Sequence, residues 1–185
     1  MQKITLLFLL LTLSFSVNAQ FTEGFESGIP DDWTIINNGG SNGWAQNTAP
    51  SGGALEGSAV AGLYYNTDAH DDFLITPAIA VSIGVNESIS FNVKSRGSTF
   101  LEDYEVLLST TNPSESEFSV VLQASSDAPS SWTNIKFDLS AYDGQTVYVA
   151  IRATDTDQFE LFVDDVYSGI ELFAPECATT PSPSV

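Results

Sequence analysis

The chain has 185 residues, with 24 acidic against 5 basic side chains and a formal charge of −19. That length suits a single domain, and the acidity speaks against nucleic acid or an anionic lipid surface as a partner, because phosphate binding needs basic patches. The one cysteine, Cys177, allows no intramolecular disulfide, so the fold relies on its core or on a metal.

Residues 1–19, MQKITLLFLLLTLSFSVNA, read as a secretory signal peptide. Lys3 precedes an apolar run from Ile4 to Leu13, and the small residues Val17 and Ala19 place cleavage after Ala19. The run falls short of the roughly 20 apolar residues that a spanning helix needs. The mature chain is therefore expected to be soluble and exported. Removing Lys3 takes the charge from −19 to −20.

Residues 20–173 form the predicted domain. Short strands are expected at 21–26, 33–37, 58–65, 73–77, 88–95, 104–110, 118–124, 134–139, 146–153 and 159–167, separated by Gly, Asn, Ser, Asp and Pro clusters. Three of them alternate cleanly: Ile89, Phe91 and Val93; Ile135, Phe137 and Leu139; Val147, Val149 and Ile151. Alternation of this kind marks half-buried strands, and no stretch sustains a helical period. The fold class is all-β, an antiparallel β-sandwich of jelly-roll type. The segment 37–53, NNGGSNGWAQNTAPSGG, is a long loop carrying Trp44, and such loops in compact domains tend to be functional or disordered. Residues 174–185, APECATTPSPSV, read as a linker or the start of a missing C-terminal module.

Catalysis finds little support. The only histidine, His70, reads as an exposed turn residue, Cys177 lies in the tail, and no G-x-S-x-G elbow, Cys/His cluster or phosphate-cradling Gly-rich loop is present. Hard oxygen ligands for calcium are better supplied, by Glu23 and Glu26, Asp71 and Asp72, and Asp164 and Asp165. The last pair poses a problem. ELFVDDVYSG reads as a strand, where neighbouring side chains point to opposite faces, so one aspartate should turn inward. A buried carboxylate is costly unless compensated. If the first and last strands are neighbours, a Ca²⁺ ion shared with Glu26 would compensate it; backbone N–H groups or Arg152 are the alternatives. Trp33 and Trp132 read as core, and Trp44 as either core or a stacking surface. In LYYN (63–66) one tyrosine is expected to be exposed, so Trp44 and Tyr65 are candidate ligand-binding residues.

Taken in order, FESGIPDDWTIIN, the Gly/Asn loop ending in Trp44, GSAVAGLYY, DDFLITPAIAV, ISFNVKS, EDYEVLLSTT, WTNIKFDLSAYDGQTVYVAIR and FELFVDDV resemble the cleaved-adhesin domain. This is the jelly-roll module of gingipain haemagglutinin regions, also called the choice-of-anchor J domain, and the resemblance covers residues 21–168. It implies a calcium-stabilised β-sandwich in an exported protein of a Bacteroidetes-type bacterium. It also implies adhesion to host proteins, haemagglutination or haem-protein binding, or an accessory role beside peptidases and other hydrolases. The implied calcium ligands are Glu26 and the inward member of Asp164/Asp165, with loop carbonyls around Ser58. The chain departs from the pattern at NNGGSNGW (37–44), where such domains often carry an Asp-x-Asp-Gly-type loop, which puts a second calcium site in question.

The resulting expectation is a secreted, non-catalytic, calcium-stabilised adhesion module at a cell surface or in the medium. Its partner would be a host or cell-surface protein, with further modules of a longer parent chain. The alternative is a carbohydrate-binding accessory module of a secreted hydrolase, its partner a glycan. Neither involves nucleic acid or membrane insertion.

Overall fold

The computed structural model describes residues 21–170. The predicted signal peptide, the 174–185 segment and Cys177 lie outside them. Alternating apolar residues decide the strands. SISFNVKS forms β7 (Ser88–Ser95) and TVYVAIRA forms β11 (Thr146–Ala153), both as the alternation predicts. One sheet runs β10 (Thr133–Asp138), β7, β12 (Glu160–Gly169), β4 (Val60–Tyr64), β3 (Ala45–Asn47), with β1 (Phe21–Glu23) also paired to β12. The other runs β2 (Thr34–Asn37), β5 (Asp72–Ile75), β11, β8 (Asp103–Ser109), β9 (Val120–Asp127), with β6 (Ile79–Ala80) beside β11. Every pairing is antiparallel. The first and last strands are neighbours, as the calcium reading requires, with Glu23 opposite Val166.

The core lies between the sheets. Ile89, Phe91 and Val93 of one sheet meet Val147, Val149 and Ile151 of the other, joined by Leu161, Val163 and Val166 of β12. Burying each such side chain contributes roughly 1.5–3 kcal/mol. A smaller cluster of Phe73, Ile75, Leu107 and Ala150 covers part of the outer face of the second sheet.

Two expectations need correction. β7 is not half-buried: Asn92 and Lys94, on the face opposite Phe91 and Val93, are also buried. Segment 48–59 is the cause, as it lies across that outer face. The first strand also stops at Glu23 rather than at residue 26. Phe25 takes a left-handed φ of 58°, and its N–H is held by the Glu23 carboxylate at 2.5 Å. β3 and β6, too short and too plain in sequence to alternate, went unpredicted.

Candidate functional site

The aspartate problem in ELFVDDVYSG is solved by a β-bulge. Asp164 pairs with Asn92 and Tyr167 with Ser90, so Asp165 and Val166 together face Phe91. Asp165 takes a left-handed φ of 48°. One extra residue resets the alternation, and Val163 and Val166 both reach the core. Asp164 takes the outer face, where segment 55–59 buries it completely. Its Oδ2 accepts the N–H groups of Leu55 at 2.9 Å and Glu56 at 3.4 Å, and its Oδ1 accepts that of Asp165 at 2.8 Å. Even so, burial holds the carboxyl above its usual range.

Glu26 grips the same segment. Its carboxylate accepts the N–H groups of Ser58 (2.9 Å) and Ala59 (3.0 Å) and the Ser58 hydroxyl (3.0 Å). The Ala59 bond first, then the Ser58 bond, holds this carboxyl below its usual range. Asp164, Glu26 and Ser58 thus converge on segment 55–59. The Asp165 carboxylate makes none of these bonds and accepts from the Asn92 amide at 3.5 Å. Arg152 is engaged elsewhere, with Asp71 (2.7 Å) and Glu105 (2.5 Å). All side-chain donors of the convergence are oxygens, the chemistry calcium favours. One glycine keeps it open: a Cβ on Gly57 would collide with the Glu26 carboxylate, whereas one on Gly24 would sit at ordinary contact distance, 3.7 Å from Asp164 Oδ1. The donor atoms are of the kind that calcium takes, and in this structure the Asp164 and Glu26 carboxylates accept N–H groups. Among the described residues no three His, Cys, Asp or Glu side chains form a metal cluster, so a cation here would draw further ligands from the main chain.

Upstream, the same loop is pinned by Lys94. Its ammonium donates to the Ser51 carbonyl at 2.8 Å and lies 5.0 Å from the Trp132 ring, and burial holds its pKa below the usual range. Trp132, predicted to be core, is only partly buried; its indole N–H donates to the Gly53 carbonyl at 3.3 Å.

Trp44 takes the core alternative of its two expected places, and His70 reverses its own. Trp44 is 4 % exposed and packs in the core, its indole N–H on the Asp72 carbonyl at 3.0 Å, so it offers no free stacking face. His70 is not an exposed turn residue but buried, with Nδ1 at 2.5 Å from Asp72 Oδ2. The other oxygen of Asp72 accepts the N–H groups of Asn38 and Gly39, each at 3.1 Å. HDDF therefore organises the Gly/Asn loop, and Asp71 is occupied by Arg152. Glu102 is a further buried acid, both its oxygens without a hydrogen-bond partner. Burial, then the charges of Asp155 and Asp103, push its pKa up to about 8.

Two features face solvent beside β4. At the end of the strand both tyrosines are exposed, Tyr64 at 47 % and Tyr65 at 36 %, rather than one. With Phe100 (58 %) and Phe159 (39 %) they surround a depression of about 440 Å³. The Phe100 and Phe159 rings meet edge-on at 4.9 Å, and the Arg96 guanidinium lies 5.2 Å from the Phe159 ring. Three loops are tied together here, Tyr65 N–H donating to the Phe159 carbonyl (2.9 Å) and Asp157 N–H to that of Asn66 (2.9 Å). Phe100 and Asp157 both sit at a φ of 55°. Sequence reasoning found only Tyr65 in this cluster. Phe100 and Phe159, single phenylalanines among Ser, Thr, Asp and Gln, were the available signal. The second feature is an open cleft of about 580 Å³ along β3, lined by Asn37, Gln46, Asn47, Tyr64 and Glu160 among others.

Residues 18–168 match the family model described as the cleaved adhesin domain. A curated relative, Hemagglutinin A of Porphyromonas gingivalis, is 31 % identical over 166 residues, covering 75 % of this chain but 6 % of its own length. Hemagglutinin A of strain ATCC BAA-308 / W83 is 30 % identical, with 8 % of its length covered. Among solved structures, the K1 cleaved adhesin domain of Lys-gingipain from P. gingivalis W83 matches with a TM-score of 0.69 and 25 % identity, over 81 % of this chain and 97 % of that one. TmCBM61, solved in complex with β-1,4-galactotriose, shares the fold alone: TM-score 0.59 and 14 % identity, over 78 % and 92 % of the two chains.

Proposed function

Because this chain belongs to the cleaved-adhesin family, we propose that it is a non-catalytic adhesion module of an extracellular bacterial protein, binding a cell-surface protein. The exposed aromatic cluster of Tyr64, Tyr65, Phe100 and Phe159, with Arg96 stacked at its side, carries this reading. Contiguous exposed apolar surface marks interaction sites, and Tyr and Arg dominate the energetics of such interfaces. The backbone bonds that join its loops hold the cluster before a partner arrives, which lowers the ordering cost of binding. The relatives' name, Hemagglutinin A, makes the erythrocyte surface the natural first probe. Binding of the labelled domain to erythrocytes, compared between wild type and Phe159→Ala, tests the reading.

The proposal includes calcium as a structural ion held by Asp164 and Glu26, with Ser58 and neighbouring main-chain carbonyls. A cation there would offset the burial of Asp164 and fasten segment 55–59 to β12. The predicted leader supports an exported location. A second reading, a carbohydrate-binding accessory module, is favoured by the cleft along β3 and by the sandwich shared with TmCBM61.

A further inference from the structure

We infer that the cleft along β3 is a subsite for a neutral, hydroxyl-rich saccharide, bound by Asn37, Gln46, Asn47 and Glu160 with Tyr64 as its stacking face. The inference rests on the second reading above and gives it a location. Its basis is unspent hydrogen-bonding capacity gathered in one place. The Asn37 carboxamide has no hydrogen-bond partner among the described residues. Asn47 uses Oδ1 on the Ala49 N–H (2.9 Å), which leaves its amide donors free. Gln46 gives its amide to the Phe25 and Glu26 carbonyls (2.8 and 3.0 Å), which leaves Oε1 free. Among the described residues the Glu160 carboxylate accepts no hydrogen bond, and its nearest cation, Arg96, stands 3.8 Å away.

Glu160 faces Tyr64 directly across the β12–β4 ladder. Its side chain is 12 % exposed, and burial raises its pKa. A perturbed carboxyl in a cleft is a site signal. Free amide donors and acceptors together match the vicinal hydroxyls of a sugar, each of which both donates and accepts, and the Tyr64 ring supplies an apolar face.

The charge of the lining narrows the ligand further. Glu160 is the only charged side chain among the residues that line the cleft, and its salt-bridge partner Arg96, 3.8 Å away, lies outside that lining, so an anionic saccharide would meet the carboxylate rather than the cation. Glycoside hydrolysis generally uses a pair of carboxylates flanking the bond, and here one stands alone, so the cleft binds and does not cleave.

The test is a glycan microarray carrying neutral and sialylated oligosaccharides, followed by titration calorimetry with the strongest binder. Wild type is expected to bind neutral glycans only. Asn37→Ala and Asn47→Ala, which touch the cleft and not the aromatic cluster, should each weaken binding about tenfold, a loss of about 1.4 kcal/mol. Phe100→Ala should leave glycan affinity unchanged. An array without signal, a signal confined to sialylated glycans, or one untouched by both cleft variants overturns the inference. Erythrocyte binding lost in Phe159→Ala alone would leave the adhesion reading standing while the cleft fails. Glycan binding lost in Asn47→Ala, with erythrocyte binding intact in Phe159→Ala, would do the reverse.

Discussion

Glu102 offers the most quantitative prediction. Both its oxygens are buried without partners, and its pKa is raised from 4.5 to about 8, first by burial and then by Asp155 and Asp103. The folded state therefore holds a proton that the unfolded chain releases near its ordinary pKa. The stability tied to that proton is fully present below about pH 4.5 and is lost as pH rises to about 8. At about 1.36 kcal/mol per pKa unit, the full loss is about 5 kcal/mol, comparable to the whole stability of many domains. Glu102→Gln keeps the shape and cannot ionise. Whatever its own burial costs is constant with pH, so the slope is the readout. Urea unfolding of both proteins between pH 5.5 and 7.5 should show the stability difference moving in the variant's favour by about 1.4 kcal/mol per pH unit. Because Asp103, also raised by burial, titrates in both proteins, the subtraction isolates Glu102. Parallel pH profiles would refute the reasoning.

Other expectations concern the loop latch. In EDTA, Asp164→Asn should cost about 1–3 kcal/mol, because both carboxylate oxygens accept buried N–H groups and the Asn amide leaves one of those donors without an acceptor. With calcium, the wild-type melting temperature should rise and that of the variant should not. A wild-type melting temperature indifferent to calcium counts against the metal. Gly57→Ala should cost about 1–3 kcal/mol in chemical denaturation, since φ is 63° there and the new Cβ meets the Glu26 carboxylate. A loss below about 0.5 kcal/mol would show that segment 55–59 moves aside freely.

The sandwich was largely legible because alternation is a local property. β7 and β11 could be read to the residue from Ile89, Phe91 and Val93 and from Val147, Val149 and Ile151. β3 was not, because AQN has neither alternation nor β-branching and gains its place only by pairing with β4. Long-range partners explain the remaining misses. Lys94 is buried with the Ser51 carbonyl, 43 positions away, accepting a hydrogen bond from its ammonium, and Trp44 is core with its indole N–H donating to the Asp72 carbonyl. The doubled aspartate showed that a strand rule would be broken at 164–165. It did not show how, since a bulge becomes visible only against the partner strand. The aromatic cluster brings together residues 64, 65, 100 and 159, and no spacing in the sequence announces that meeting.

Erythrocyte binding by the isolated domain, measured by flow cytometry for wild type and for Phe100→Ala and Phe159→Ala, tests the adhesion role most directly. Saturable binding that weakens about tenfold or more in each variant, with unchanged melting temperatures, is the predicted result. Binding that survives both substitutions intact would contradict it.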